Sequence, residues 1–175
     1  MVKTQEQGNC VGRPWPAPAA GWIALSVDGS FSSDGIVSSG MVPRNPDGSL
    51  IFASYRHLFF CNDALEAELH AIREGLALAL ERSDLPVVIQ SDSLTTLSSL
   101  SSDILDRSAY GHLVTEIKHL LAGREFFSMK ISRDQNRVAD RLANHGRVEC
   151  STACCLQNCL KEICPRGNNK VIIYF

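Results

Sequence analysis

Four acidic positions along this chain suggest metal-assisted hydrolysis. Asp28 closes the apolar run WIALSVD (22–28), in which strand alternation sets Ile23, Leu25 and Val27 on one face and Trp22, Ala24, Ser26 and Asp28 on the other. A carboxylate on such a face is costly unless a positive group meets it. The run Asp28-Gly29-Ser30 also has turn composition, with an acid that bonds its own backbone and a glycine that supplies a positive φ. Both accounts of Asp28 stand at this point. Asp92 follows the β-branched run VVIQS (87–91), so it emerges at the C-terminal edge of a strand, where open α/β sheets place their sites. Asp140 lies in the first half of a helical segment, NRVADRLANHG (136–146).

The fourth acid comes from a helix predicted over about 63–82, on which Leu65, Leu69, Ile72, Leu76 and Leu80 share a face. Two candidates lie near its start. At 100° per residue, Glu68 falls about 60° from Leu65 and borders the apolar stripe, whereas Glu66 falls about 100° away, beside Arg73 on the wetter flank. Glu66 also completes a capping-box-like D-x-x-E with Asp63. That leaves Glu68 as the acid without a local role. If such carboxylates converge, they raise one another's pKa and repel, and divalent cations between them relieve the repulsion. Oxygen-only ligands suit Mg²⁺ or Mn²⁺, not zinc. Two such ions about 4 Å apart would activate a water and steady the leaving oxygen in an in-line phosphodiester displacement.

The elements that must carry these acids are readable in order. Residues 1–20 are polar and then Pro/Ala-rich (RPWPAPAAG), which predicts an irregular, mobile arm. A strand over 22–30, the run GIVSSGMVP (35–43), the turn RNPDGS (44–49) and LIFASYRHLFF together predict an antiparallel meander. The helix over 63–82 then leads to VVIQSD (87–92), which joins the sheet in parallel through a crossover. Helical patterns return at 93–101 and 110–122, with Gly123 as C-cap, before a fifth strand, FFSMKIS (126–132), and a last helix (136–146) that Gly146 closes. The fold class is α/β, a mixed five-stranded sheet flanked by helices. Leu156, Cys159 and Leu160 are expected to continue a helix packed on the core.

Whole-chain quantities narrow the function classes. With 175 residues the chain suits one domain with a short appendage. A net charge of -2 provides no general basic field, so any nucleic-acid affinity has to come from a local patch. Arg124, Lys130, Arg133, Arg137, Arg141 and Arg147 form such a stretch, although a solvated helix face would look the same. No apolar window is long enough to span a membrane and the start lacks an apolar leader core, so an intracellular protein is expected. The cysteines number seven, an odd count, which favours reduced thiols. Their spacing in the tail, C-x3-CC-x3-C-x4-C, does not match paired zinc ligands. His57, His70, His112 and His119 show no acid-histidine-nucleophile spacing, and no phosphate-binding glycine loop is present.

The blocks GWIALSVDGSF, NDALEAELHAIREGLALAL, VVIQSDS and ISRDQNRVADRLA, in that order over about 21–147, resemble the ribonuclease H type 1 family, and most closely its plant-type, retroelement-derived branch. The resemblance implies a ribonuclease H-like domain at 21–147, between the arm at 1–20 and a Cys-rich tail at 148–175. It implies a catalytic, metal-holding tetrad of Asp28, Glu68, Asp92 and Asp140 with two Mg²⁺ ions, Mn²⁺ being a substitute. In that scheme Asp28 bridges both ions, Asp140 completes the ion that holds the attacking water, and Glu68 with Asp92 completes the ion at the leaving group. The implied reaction is endonucleolytic hydrolysis of the RNA strand of an RNA·DNA hybrid. By the same pattern Gly29, Ser30 and Asn62 approach the RNA strand, and Arg133 and Arg137 serve the phosphates. A monomer is expected, one that derives from a larger reverse-transcriptase polyprotein.

Two departures from the family pattern matter. The loop ISRDQNRVAD carries no histidine where well-studied cellular members have one, and His145 follows Asp140 on the helix instead. The segment between the fourth strand and Tyr110 is acidic and serine-rich, and so lacks the basic helical insertion that some members use to grip hybrid. These departures motivate an alternative of another class, a non-catalytic nucleic-acid-binding module left from a retroelement.

Overall fold

The computed structural model describes residues 13–102 and 108–156. The strands are β1 (Ile23–Phe31), β2 (Val37–Arg44), β3 (Phe52–Leu58), β4 (Val87–Ser91), β5 (Phe126–Lys130) and β6 (Ala153–Leu156). The helices are α1 (Ala64–Leu80), α2 (Leu94–Ser101), α3 (Gly111–Leu120) and α4 (Arg137–Val148). The sheet order is β5-β4-β1-β2-β3-β6. β1, β2 and β3 form the expected antiparallel meander, and β4 and β5 extend it in parallel from β1.

The expected five-stranded sheet has a sixth strand. β6 pairs antiparallel with β3, opposing Phe52 to Leu156 and Tyr55 to Ala153. Leu156 is therefore in a strand and not in the continuing helix expected there; Cys159 and Leu160 lie outside the described residues. The sheet thus continues past residue 147, the boundary drawn from the motifs. Cys61, Cys150 and Cys154 are free thiols, but Cys155 is disulfide-bonded, contrary to the expectation of reduced cysteines throughout.

Two cores cover the two faces of the sheet. On one, Ile23, Leu25 and Val27 of β1 pack with Leu69, Ile72 and Leu76 of α1 and with Leu113 and Ile117 of α3, all fully buried. This is the alternation of β1 meeting the stripe of α1, and each such side chain contributes about 1.5–3 kcal/mol on burial. On the other face, Ala139 and Leu142 of α4 pack on Val42 and Ala53. α4 sits close to β2 because Gly40 has no side chain: a Cβ there would stand 2.5 Å from Ala143 N. Gly146, expected to end this helix, lies inside it and is buried against Ser38 and Tyr55.

The same face is closed beyond α4 by the start of the chain. Of the irregular, mobile arm expected over 1–20, residues 1–12 lie outside the described residues; residues 13–20 hold no regular element, as expected, but are pinned to the sheet. Trp15 Nε1 donates to Gln90 Oε1 at 2.8 Å, and Gln90 Nε2 donates to Pro16 O at 2.8 Å. Gln135 Nε2 donates to Pro14 O at 2.9 Å, and the Arg44 guanidinium lies 4.3 Å over the Trp15 ring. The prolines between Arg13 and Gly21 rule out a regular element but not anchoring, and the anchor, Gln90, sits in a strand that looks apolar. Among the described residues, no helix is long and apolar enough to cross a membrane.

Candidate active site

Asp28, Glu68 and Asp92 meet at one end of the sheet. One carboxylate oxygen from each lies within 4.8 Å of the others. Asp28 and Glu68 are buried, at 8% and 7% exposure, and Asp92 is half-buried. They face an open cleft of about 660 Å³ whose wall also includes Gly29, Ser30, Lys130, Arg133, Asp140 and Asn144.

Asp28 is in mid-strand, not at a strand end. β1 runs on to Phe31, Asp28 opposes Gly40 of β2, and Gly29 does not take a positive φ. The turn account of Asp28 therefore fails. Gly29 has a different reason to be glycine: a Cβ there would lie 2.6 Å from Glu68 N. That close approach lets the Gly29 N–H donate to Glu68 Oε1 at 2.9 Å.

Glu68 is held from both sides. Ser91 Oγ, at the last residue of β4, donates to Glu68 Oε2 at 3.0 Å, so each Glu68 oxygen accepts from a different strand. Glu66 does what its spacing predicts. Its N–H donates to Asp63 Oδ1 at 3.0 Å, and its carboxylate accepts from Asn62 N and Nδ2 at 2.6 and 2.8 Å. The helix start is thus capped with Asn62 in place of the Asp63 N–H. Asn62 is exposed and committed to this cap.

Asp140 lies apart from the other three. It is in the first turn of α4, exposed, and on the cleft wall, and its charge still helps to raise the pKa of Asp28. Two residues the sequence reading did not select place it. Asn136, fully buried at the N-cap, donates from Nδ2 to Val27 O at 2.8 Å, which ties the start of α4 to β1 one residue before Asp28. Asn144, one turn beyond Asp140, donates from Nδ2 to Asp140 O at 3.0 Å and to Asp140 Oδ1 at 3.1 Å. An asparagine before a helix reads as a cap; nothing local shows that Asn136 bonds a strand instead.

The electrostatics call for positive charge. Burial, followed by the charges of Glu68, Asp92 and Asp140, pushes the Asp28 carboxyl up to about 9. Burial raises Glu68 to about 7, against the hydrogen bonds from Gly29 and Ser91 that favour its ionised form. A group of hard carboxylate oxygens that cannot all ionise unaided fits a divalent cation of the Mg²⁺ or Mn²⁺ kind. Among the described residues, Arg133 brings a cation to the group: its Nε donates to Asp92 Oδ2 at 3.2 Å while the side chain is 94% exposed. The rest of the basic stretch is largely committed elsewhere: Arg137 to Asp134 at 3.6 Å, Arg124 to the carbonyls of Ser83 and Leu85, and Arg147 Nε to Ser30 Oγ at 2.8 Å. Lys130 stands on the cleft wall.

A family model described as reverse transcriptase-like matches residues 26–146. The chain belongs to that family. The match supports the ribonuclease H type 1 relationship that the motif blocks indicate, and solved structures carry the same fold. A ribonuclease H1 from the halophilic archaeon Halobacterium salinarum is similar with a TM-score of 0.66 and 20% identity, over 75% of this chain and 100% of that one. LC11-RNase H1, in complex with an RNA/DNA hybrid, is similar with a TM-score of 0.66 and 18% identity, over 73% of this chain and 98% of that one. A foamy viral protease-reverse transcriptase, also in complex with RNA/DNA hybrid, is similar with a TM-score of 0.61 and 16% identity, over 85% of this chain and 22% of that one. No curated protein sequence matches the chain. The family's α/β fold, with antiparallel and parallel strands in one sheet, is therefore the fold of this chain.

Proposed function

We propose that this chain hydrolyses the RNA strand of RNA·DNA hybrids, with Asp28, Glu68, Asp92 and Asp140 as its metal-holding acids. The observation that carries the reading is the convergence of Asp28, Glu68 and Asp92 within 4.8 Å at the mouth of an open cleft. Two burial-raised carboxyls in that group leave a strong demand for cations. Mg²⁺ or Mn²⁺, when bound, supplies Lewis acidity toward a phosphodiester and lowers the pKa of water.

The chain's own residues do the rest. Glu68, clamped by Gly29 N and Ser91 Oγ, presents its carboxylate without rotamer freedom to lose. Asp28 reaches the same point from β1 and Asp92 from the end of β4, while Asp140 stands on the cleft wall from α4. Gly29 and Ser30 form the cleft edge where an RNA strand's 2′-hydroxyls are read, and Asn62, exposed beside the N-cap of α1, would help hold the strand from there. Arg133 and Arg137, both largely exposed, meet phosphates. Arg133, which donates to Asp92 Oδ2 at 3.2 Å, would give up that contact if Asp92 held a cation. The motif blocks and the likeness to a viral reverse transcriptase support a plant-type, retroelement origin from a larger polyprotein. A single copy of the chain carries all four acids, so the site needs no second subunit.

The test is cleavage of a labelled RNA·DNA hybrid over a Mg²⁺ and Mn²⁺ titration, with the DNA duplex as control. Cation-dependent cutting of the RNA strand that is lost in Asp28→Asn and Asp92→Asn is expected. Binding of hybrid without cutting at saturating metal would instead establish a non-catalytic module, and undiminished cutting by both variants would remove the acids from the mechanism.

A further inference from the structure

Asp140 is the one proposed metal-holding acid that is exposed and outside the converged group, so something must hold its carboxylate toward the cleft. Asn144 donates from Nδ2 to Asp140 Oδ1 at 3.1 Å, but an asparagine amide can rotate end for end, and its other end would present an oxygen to the acid. Two donors prevent this. Ser30 Oγ donates to Asn144 Oδ1 at 3.2 Å, and Arg147 Nη2 donates to the same oxygen at 3.5 Å. Arg147 Nε donates in turn to Ser30 Oγ at 2.8 Å, which leaves the serine proton for Asn144. The polarity of the whole chain, from Arg147 through Ser30 and Asn144 to Asp140, is therefore set at the guanidinium, which accepts nothing. Ser30 lies two residues after Asp28 on β1, so the chain also ties Asp140 to the strand of Asp28.

We infer that Arg147 is a positioning residue: through Ser30 and Asn144 it fixes the amide donor that orients the Asp140 carboxylate for a divalent cation. The inference rests on the proposed function for the role of Asp140. It differs from a phosphate contact, in which Arg147 would act on the nucleic acid directly, and it makes a prediction of unusual sign. Removing a positive charge near an acidic site should by itself tighten cation binding. If Arg147 works by orientation, its removal should weaken binding.

The experiment is calorimetric titration of the full chain with Mn²⁺, in parallel for wild type, Arg147→Met, Arg147→Lys, Ser30→Ala and Asn144→Leu, with thermal melts to verify folding. Arg147→Met and Asn144→Leu should each weaken Mn²⁺ binding at least about fivefold, the free-energy equivalent of roughly 1 kcal/mol. Ser30→Ala should do so less, and Arg147→Lys should fall between wild type and Arg147→Met. The double variant Arg147→Met/Asn144→Leu should bind no more weakly than Asn144→Leu alone, because both act on one oxygen. Unchanged or tighter Mn²⁺ binding by Arg147→Met overturns the inference, and so does unchanged Mn²⁺ affinity with weakened hybrid binding, which would make Arg147 a phosphate contact. Should Arg147→Met fail to fold, the Asn144→Leu and Ser30→Ala titrations decide by the same criterion. Absence of Mn²⁺ binding by folded wild type would overturn the proposed function itself and this inference with it.

Discussion

Strand β1 buries polar groups at two places, and they are solved in opposite ways. Near its middle, Ser26 opposes Gln90 of β4, and both are fully buried. Gln90 Oε1 accepts from Ser26 Oγ and Trp15 Nε1, each at 2.8 Å, and Gln90 Nε2 donates to Pro16 O at 2.8 Å and more weakly to Met129 Sδ at 3.8 Å, so the oxygen and both protons of that amide are answered by protein. Two residues further on, Asp28 is nearly as buried, and its nearest charged neighbours are acids. A polar group buried for structure is satisfied internally. One whose neighbours make its ionisation harder points to something the chain must bind.

The largest expected effect sharpens this contrast with a single substitution. Asp28→Asn should lower the rate of hybrid cleavage by roughly 10³-fold or more, as single-turnover assays would show, while making the metal-free chain more stable. The two signs belong together, since the acid is destabilising where it is and is kept for what it binds.

A second prediction concerns pH. In the folded, metal-free chain Asp28 is raised to about 9 and Glu68 to about 7, from ordinary values of 3.8 and 4.5. The folded state therefore binds more protons than the unfolded state over that interval. Its stability from these groups is full below about pH 4 and is lost as pH rises toward 9. Thermal melts in chelator should show a falling Tm from pH 5 to 9. Asp28→Asn should flatten the fall and add about 2–4 kcal/mol at pH 7. A wild-type Tm that rises over this range would contradict the burial of Asp28.

The satisfied end should respond only in stability. Gln90→Leu strands the Trp15 and Ser26 donors and the Pro16 carbonyl, and should cost about 2–3 kcal/mol in urea unfolding, with cleavage per folded molecule unchanged. Smaller still, Trp15→Phe keeps a ring over Arg44 but removes one donor from Gln90, which retains Ser26; about 1 kcal/mol is expected. If Trp15→Phe proved silent, the arm would be held by its backbone contacts and ring stacking alone.

Much of the fold was legible because it depends on neighbours in sequence. The period of Leu65, Leu69, Ile72 and Leu76, the cap at Asp63 and the alternation of Ile23, Leu25 and Val27 are local patterns, and each stands in the structure. The different placing of Glu68 and Glu66 was legible too: the acid bordering the apolar stripe is buried beside Asp28 and Asp92, while the capping acid stays at the helix start. The strand β6 left no such trace, because four residues of Ala, Cys and Leu alternate no more clearly as strand than as helix. Nor did the arm, whose polar partner lies some seventy-five residues away.

By itself, then, the sequence determined the order of elements as far as α4, the acids they carry and the family they signal, because periodicity, caps and motif spacing are properties of short stretches. Tertiary structure alone decided that Asp28 sits in mid-strand, that Gly29 is open for Glu68, and that Asn136 and Asn144 carry Asp140 to β1. Those contacts join residues of remote segments, and their geometry exists only once α1 and α4 have closed on the two faces of one sheet.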